Sequence, residues 1–292
     1  MKVLYVILVI ILILIIYKNQ NRKQINKFEN STNAKTKDTL VLYTFHEINN
    51  NVKYFINQGI FKDDSIDFIM ICNNETLKID VPDYVKFINR KNIGYDFGGW
   101  SEGLLTNNLY MNYKHFIFVN SSVIGPTVPK YYKNKWTDIF LDGLKDNVKL
   151  YGSTINTSGL YGNDPINSSH VQSYAFCVDI DTLKFLINKE IFSMTNMISK
   201  YEDVVINKEI KMSRDIISNN WNIGCIFHHY NGIDFTKLSK YTDFQFLNNL
   251  TVLGYYTQLI SPYDVIFVKE KYVSNKYWLN SHLNDAKLED KI

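Results

Sequence analysis

Only three cysteines occur in 292 residues, Cys72, Cys177 and Cys225. None stands in a C-x-x-C pair, so no paired-cysteine zinc pattern is present. All three fall in apolar segments, where a free cysteine behaves as a small hydrophobe. The excess of one sign of charge is small as well. The net charge is +3, and no basic run exists beyond Lys18–Lys27. A nucleic-acid partner is not expected, because such proteins concentrate Lys and Arg on one face. The dinucleotide fingerprint G-x-G-x-x-G and the phosphate loop G-x-x-x-x-G-K-[ST] are both missing. So is the nucleophile elbow G-x-S-x-G of serine hydrolases. The chain shows no internal repeat.

One long apolar run is present, "VLYVILVIILILIIY" from Val3 to Tyr17. It is shorter than the roughly 20 residues that span a bilayer comfortably. Lys2 and Lys18 can snorkel at its ends. No small-x-small cleavage site follows, so the run reads as an uncleaved single-pass anchor rather than a signal peptide. Lys18, Arg22 and Lys23 outweigh Lys2, and the positive-inside rule then places the body in the cytoplasm. A type II anchor would place it in the ER or Golgi lumen instead. Six N-x-[ST] triplets, at Asn30, Asn74, Asn120, Asn156, Asn167 and Asn249, are cheap in so Asn-rich a chain. Residues 18–38 are polar and aperiodic and read as a flexible stem. The folded body is expected over 39–275, with a short tail at 276–292.

Four short apolar runs open the body, and each ends in polar residues. "TLVLYTF" ends at His46-Glu47, "IDFIMIC" at Asn73-Asn74, and "HFIFVN" at Asn120-Ser121. "YVKFINR" runs into "RKNIGYDFGGW". Short, β-branched and aromatic, these runs predict buried strands. The segments between them carry helical spacing, and Gly59 ends the first. "NKEIKMSRDIISNN" predicts a helix over 207–220, and "YDVIFVKEKYV" a last strand. Strand–helix alternation predicts an α/β fold, a mostly parallel mixed sheet sandwiched by helices. Ligands of such sheets sit at the carboxyl ends of the strands, where these polar residues fall.

The ordered motifs resemble a known group. "FINRKNIGYDFGGW" followed by "YKHFIFVNSSVIGPTVP" resembles the nucleotide-sugar domain of GT-A type (Rossmann-like) glycosyltransferases. The resemblance is to a group found in fungi, algae and viruses that is distantly similar to the rhamnan-synthesis transferases. It continues through Trp136–Phe140, "VKLYGSTIN", "HVQS", Glu209–Ile216 and "SPYDVIFVK", covering roughly residues 39–272. Where the group has Arg in "NSSVRGP", this chain has Ile124.

The resemblance implies a membrane-anchored enzyme that moves a sugar from a UDP-, GDP- or TDP-sugar to a glycan or protein acceptor. His46, Glu47 and Asn73 would flank the base and ribose. Arg90, Asn92, Gly94 and Asp96 would hold ribose, diphosphate and sugar, the glycines letting backbone approach the ligand. Asp96 goes to a sugar hydroxyl, since like charge keeps it from phosphate; an Asx cap on a helix starting at Phe97 is the plainer alternative. Asn120 and Ser121 stand where most such enzymes carry Asp-x-Asp for Mn or Mg. Without carboxylates there, metal binding is weak or absent, or a ligand such as His228 or His229 comes from elsewhere. Glu209 is the expected general base, with Glu202 and Asp203 behind it; a solvated Glu209 paired to Lys211 or Ser213 is the alternative. His170 and Gln172 would line the acceptor side. A catalytically silent domain that binds a glycan or partner is the competing whole-protein reading.

Overall fold

A computed structural model describes residues 37–157, 168–240 and 261–269. The expected anchor, most of the stem and the tail lie outside these residues. Among the described residues no helix is long and apolar enough to cross a membrane.

The strands are β1 (Lys37–Phe45), β2 (Ile66–Cys72), β3 (Lys86–Asn89), β4 (Tyr113–Asn120), β5 (Val148–Gly152), β6 (Ile155–Asn156), β7 (His170–Val171), β8 (Ala175–Asp179) and β9 (Asn222–Cys225). The helices are α1 (Asn50–Tyr54), α2 (Tyr95–Leu105), α3 (Trp136–Leu141), α4 (Ile180–Asn188), α5 (Tyr201–Val204) and α6 (Lys211–Ser218). β1 takes in Lys37 and Asp38, which the sequence placed in the stem. A seven-stranded sheet runs β3-β2-β1-β4-β8-β5-β9. Every strand points the same way except β8, which is antiparallel to β4 and β5. β6 and β7 form a separate small hairpin.

The alternation along β1 sends its side chains to two cores. Leu42 and Thr44 face α2, where Gly99 and Gly103 let the helix lie close against Thr44, Leu42 and Ile71. Trp100 reaches into this layer and meets Phe118 and Phe176 edge-on, while Phe118 stacks on Phe176 and on Phe192. On the other face Tyr43 stacks on Phe55 at 4.0 Å. Trp136 then links Phe55, Phe140 and Phe267 into a second aromatic layer. Burying rings of this size contributes about 1.5–3 kcal/mol each, which is why the helices are pinned to both faces.

α1 continues as a π-helical stretch, Phe55–Gly59, and stops at the expected glycine. A Cβ on Gly59 would stand 2.6 Å from the Phe55 ring, so the glycine makes room for the core. The helix expected over 207–220 begins earlier. It runs from α5 through a π-helical stretch, Val205–Ile210, into α6. Over its described residues, 263–269, the expected last strand is not formed. Pro262–Asp264 form a 3-10 turn, and Val268 makes an isolated antiparallel bridge to Ile124. Pro262 cannot donate to a ladder, and Ile266 at φ 64 breaks the extended path.

Candidate functional site

The parallel strands deliver their polar ends to one edge. β1 ends at His46 and Glu47, β2 at Asn73, β3 at Arg90 and β4 at Asn120 and Ser121. β5 and β9 bring Ser153 and His228 to the same edge. Reversed β8 brings its beginning there, Ser173 and Tyr174.

Arg90 is buried and turned inward. Its Nε donates to Glu102 Oε2 at 2.8 Å, Nη1 to Asn73 Oδ1 at 2.5 Å, and Nη2 to the Ile93 carbonyl at 2.7 Å. Asn73 Nδ2 in turn donates to the Tyr95 carbonyl. The guanidinium thus ties β3, β2 and the start of α2 together, where the sequence had placed it on phosphate. Gly94 and Tyr95 have positive φ, 76° and 52°, and turn the chain into α2. A Cβ on Gly98 would stand 2.1 Å from the Ile93 carbonyl. Gly94 and Gly98 therefore admit backbone of the turn itself, and Gly99 admits the Thr44, Asn73 and Ile71 side chains. Asn92 is exposed at the tip of the turn.

α2 starts at Tyr95 with Gly94 as its cap, so Asp96 lies in the first helical turn and is not the Asx cap. Its Oδ2 accepts from Asn120 Nδ2 at 2.8 Å. Burial pushes the Asp96 carboxyl up to about 6; the Asn120 hydrogen bond opposes this, the Glu209 charge adds to it, and Lys269 opposes it. Glu209 sits in the π-helical stretch, a local geometry common at functional sites. Its Oε1 accepts from the Ser173 N–H at 2.9 Å. The alternative of a solvated Glu209 paired to Lys211 or Ser213 is not formed: Lys211 pairs with Asp215, and the Ser213 hydroxyl takes the Val171 N–H. Glu202 and Asp203 are exposed.

The remaining expected residues divide. His46 and Glu47 are exposed, and His46 Nδ1 donates to the Asn73 carbonyl at 2.8 Å. The Ser121 carbonyl accepts from Asn51 Nδ2 at 3.1 Å. His170 is buried, its Nδ1 donating to the Ser168 carbonyl. Gln172 is buried as well and accepts from Thr154 Oγ1, which also receives the Tyr174 hydroxyl. His228 is exposed in a 3-10 turn against Phe227.

The metal implied by the resemblance does not fit the end of β4. Asn120 Oδ1 is occupied by the N–H and hydroxyl of Ser122, and the side chains there are neutral. Among the described residues no three His, Cys, Asp or Glu converge on a point. Two contributors were missed by the sequence reading. Ser173 is a backbone donor, which carries no side-chain signal. Lys269 closes the quoted motif "SPYDVIFVK" and could have been found there.

A family model described as rhamnan synthesis protein F matches residues 68–276. Two curated relatives, both named Virulence protein VirA and both from Vibrio anguillarum, are 25% identical over 197 residues, covering 66% of this chain. The match covers 57% of those relatives, so the chain spans little more than half their length. Two crystal structures of the glycosyltransferase GlyE from Streptococcus pneumoniae, one an apo form, are similar at 13% and 12% identity. Each comparison has a TM-score of 0.39 and covers 87% of this chain and 61% of GlyE.

Proposed function

The chain belongs to the rhamnan synthesis protein F family, and on that premise we propose that it is a GT-A type glycosyltransferase using a nucleotide-sugar donor. The observation that carries the reading is the corner at the end of β4. There the half-buried Asp96 is held by Asn120 and feels the charge of Glu209, across the carboxyl edge of a mostly parallel sheet. Ligands of open α/β sheets bind at that edge.

In this proposal the base and ribose lie over His46, Glu47 and Asn73, and the diphosphate lies toward Asn120 and Ser121. Arg90 acts indirectly, by fixing Asn73 and the turn that presents Asp96. Asp96 accepts a hydrogen bond from a sugar hydroxyl. Glu209, oriented by the Ser173 N–H, takes the proton of the acceptor hydroxyl. The acceptor oxygen bonds to the anomeric carbon, the bond from that carbon to the diphosphate breaks, and the nucleoside diphosphate leaves. His170 and Gln172 support the hairpin on the acceptor side. The acceptor is a glycan or glycoprotein, and residues 1–17 anchor the enzyme to a membrane.

Thermal shifts of the full chain with UDP, GDP, TDP and CMP test the reading. A ligand that binds only the folded state raises its stability as RT ln(1 + [L]/Kd). We expect one base to stand out. Glu209→Gln should keep that shift and lose about 100- to 10,000-fold in transfer rate, the usual weight of a general base. No shift with any nucleotide in a folded sample would sink the transferase reading and favour a binding module.

A further inference from the structure

Breaking the bond between a sugar and its diphosphate separates charge. The sugar ring turns positive and the leaving oxygen turns negative. A site for this reaction is helped by negative groups near the ring and by a cation or aimed N–H donors near the leaving oxygen. Asp96 and Glu209 supply the first. The neutral end of β4 does not supply a cation.

Positive charge reaches this corner from far along the chain. Val268 and Ile124 exchange both backbone hydrogen bonds, and the Thr127 N–H donates to the Ile266 carbonyl. These bonds fasten residues 266–268 to the loop that follows β4. The next residue is Lys269, half-buried, with its Nζ 5.6 Å above the Tyr174 ring. Tyr174 itself borders β4, since its carbonyl accepts from the Asn120 N–H at 3.0 Å. One residue, Tyr174, thus joins the end of β4 through its backbone to the Lys269 ammonium through its ring, and the charge of that ammonium is felt at Asp96.

We propose that Lys269 is the cation that binds the diphosphate of the donor and balances its charge as it leaves. The inference rests on the transferase reading above and adds the residue that does the work of the Asp-x-Asp-bound metal. An ammonium suits phosphate as a compact point charge. The seat over Tyr174 holds the lysine stem in place through its ring face.

The test is calorimetric titration of the full chain, wild type and variants, with the nucleoside diphosphate that shifts it and with the corresponding nucleoside. Each titration is run with EDTA and with manganese. We expect wild-type binding to persist in EDTA. Lys269→Met should weaken the diphosphate about 10- to 100-fold, the weight of a hydrogen bond to a charged group. The nucleoside should bind as before, and Lys269→Arg should restore most of the loss. If Lys269→Met does not fold, Lys269→Gln carries the same comparison. Two results overturn the inference while leaving the transferase intact. One is equal diphosphate affinity in wild type and Lys269→Met, which would make the lysine a counter-charge for Asp96 and Glu209 alone. The other is wild-type binding that requires manganese, which would put a divalent ion between those carboxylates. Absence of any nucleotide binding by wild type would remove both readings.

Discussion

Arg90→Met separates a structural arginine from a phosphate clamp. The guanidinium donates to Glu102, Asn73 and the Ile93 carbonyl, and its side chain is 5% exposed. Methionine keeps the length of the stem and removes every donor. Glu102 is 31% exposed on its side chain, so water can take over much of its charge. Asn73 Oδ1 and the Ile93 carbonyl then lose their guanidinium partner, and a stranded buried acceptor costs about 1–3 kcal/mol. Removing one partner of a fully buried pair costs about 3–5 kcal/mol, and the hydration of Glu102 lowers that here. We expect a loss of about 3 kcal/mol, read as a drop in the urea midpoint at unchanged slope. In thermal melts this is a fall of roughly 6–12 °C. At a temperature where the variant stays folded, its nucleotide affinity should fall only modestly, through a looser Asn73. A variant of wild-type stability that had lost nucleotide binding outright would refute the reasoning and return Arg90 to the ligand.

Two further perturbations follow from the same turn. Gly98→Ala would gain about 1 kcal/mol on an exposed helix, but its Cβ would meet the Ile93 carbonyl at 2.1 Å. We expect a net loss of about 1–3 kcal/mol in denaturant unfolding, and a stabilised variant would show that the turn can yield. Asp96→Asn should stabilise the protein at pH 8. The folded carboxyl titrates near 6 instead of 3.8, so its ionised form is the disfavoured one in the fold. A shift of about two units corresponds to at most about 3 kcal/mol, and partial solvent access brings the expected gain to about 1–2 kcal/mol. The gain should shrink as pH falls through 6, where the folded wild type takes up its proton, and vanish below about 4. A gain that is flat with pH would contradict a buried, repelled carboxylate.

The strands were legible because each is a short β-branched or aromatic run closed by polar residues. Parallel pairing then followed from the helical segments between β1 and β2 and between β3 and β4, while β2 and β3 are parallel with no helix between them. The edge that carries His46, Asn73 and Asn120 was legible for the same reason, whereas Glu209 lies on a helical stretch that strand ends do not announce. Side-chain direction was not. "RKNIGYDFGG" announces an arginine and glycines in a turn, but only the packed backbone shows that Arg90 points inward and that Gly98 faces a carbonyl. The order β8-β5-β9 was hidden too, because pairing depends on partners far apart in the chain. Lys269 closes the quoted motif "SPYDVIFVK", but it lay inside a stretch read as a strand, and a strand reading does not single out one of its residues.

The bridge between Ile124 and Val268 also bears on how the protein is made. β1 through β4 can pair as soon as residue 120 is available, yet the backbone groups of Ile124 and the N–H of Thr127, in the loop that follows β4, meet their backbone partners at residues 266–268. A chain emerging from the ribosome therefore carries a nearly complete sheet with an unfinished corner until residue 269 has followed. On the proposed reading, a chain cut before residue 269 would keep the strand ends of its nucleotide edge without the Lys269 charge that balances the leaving group.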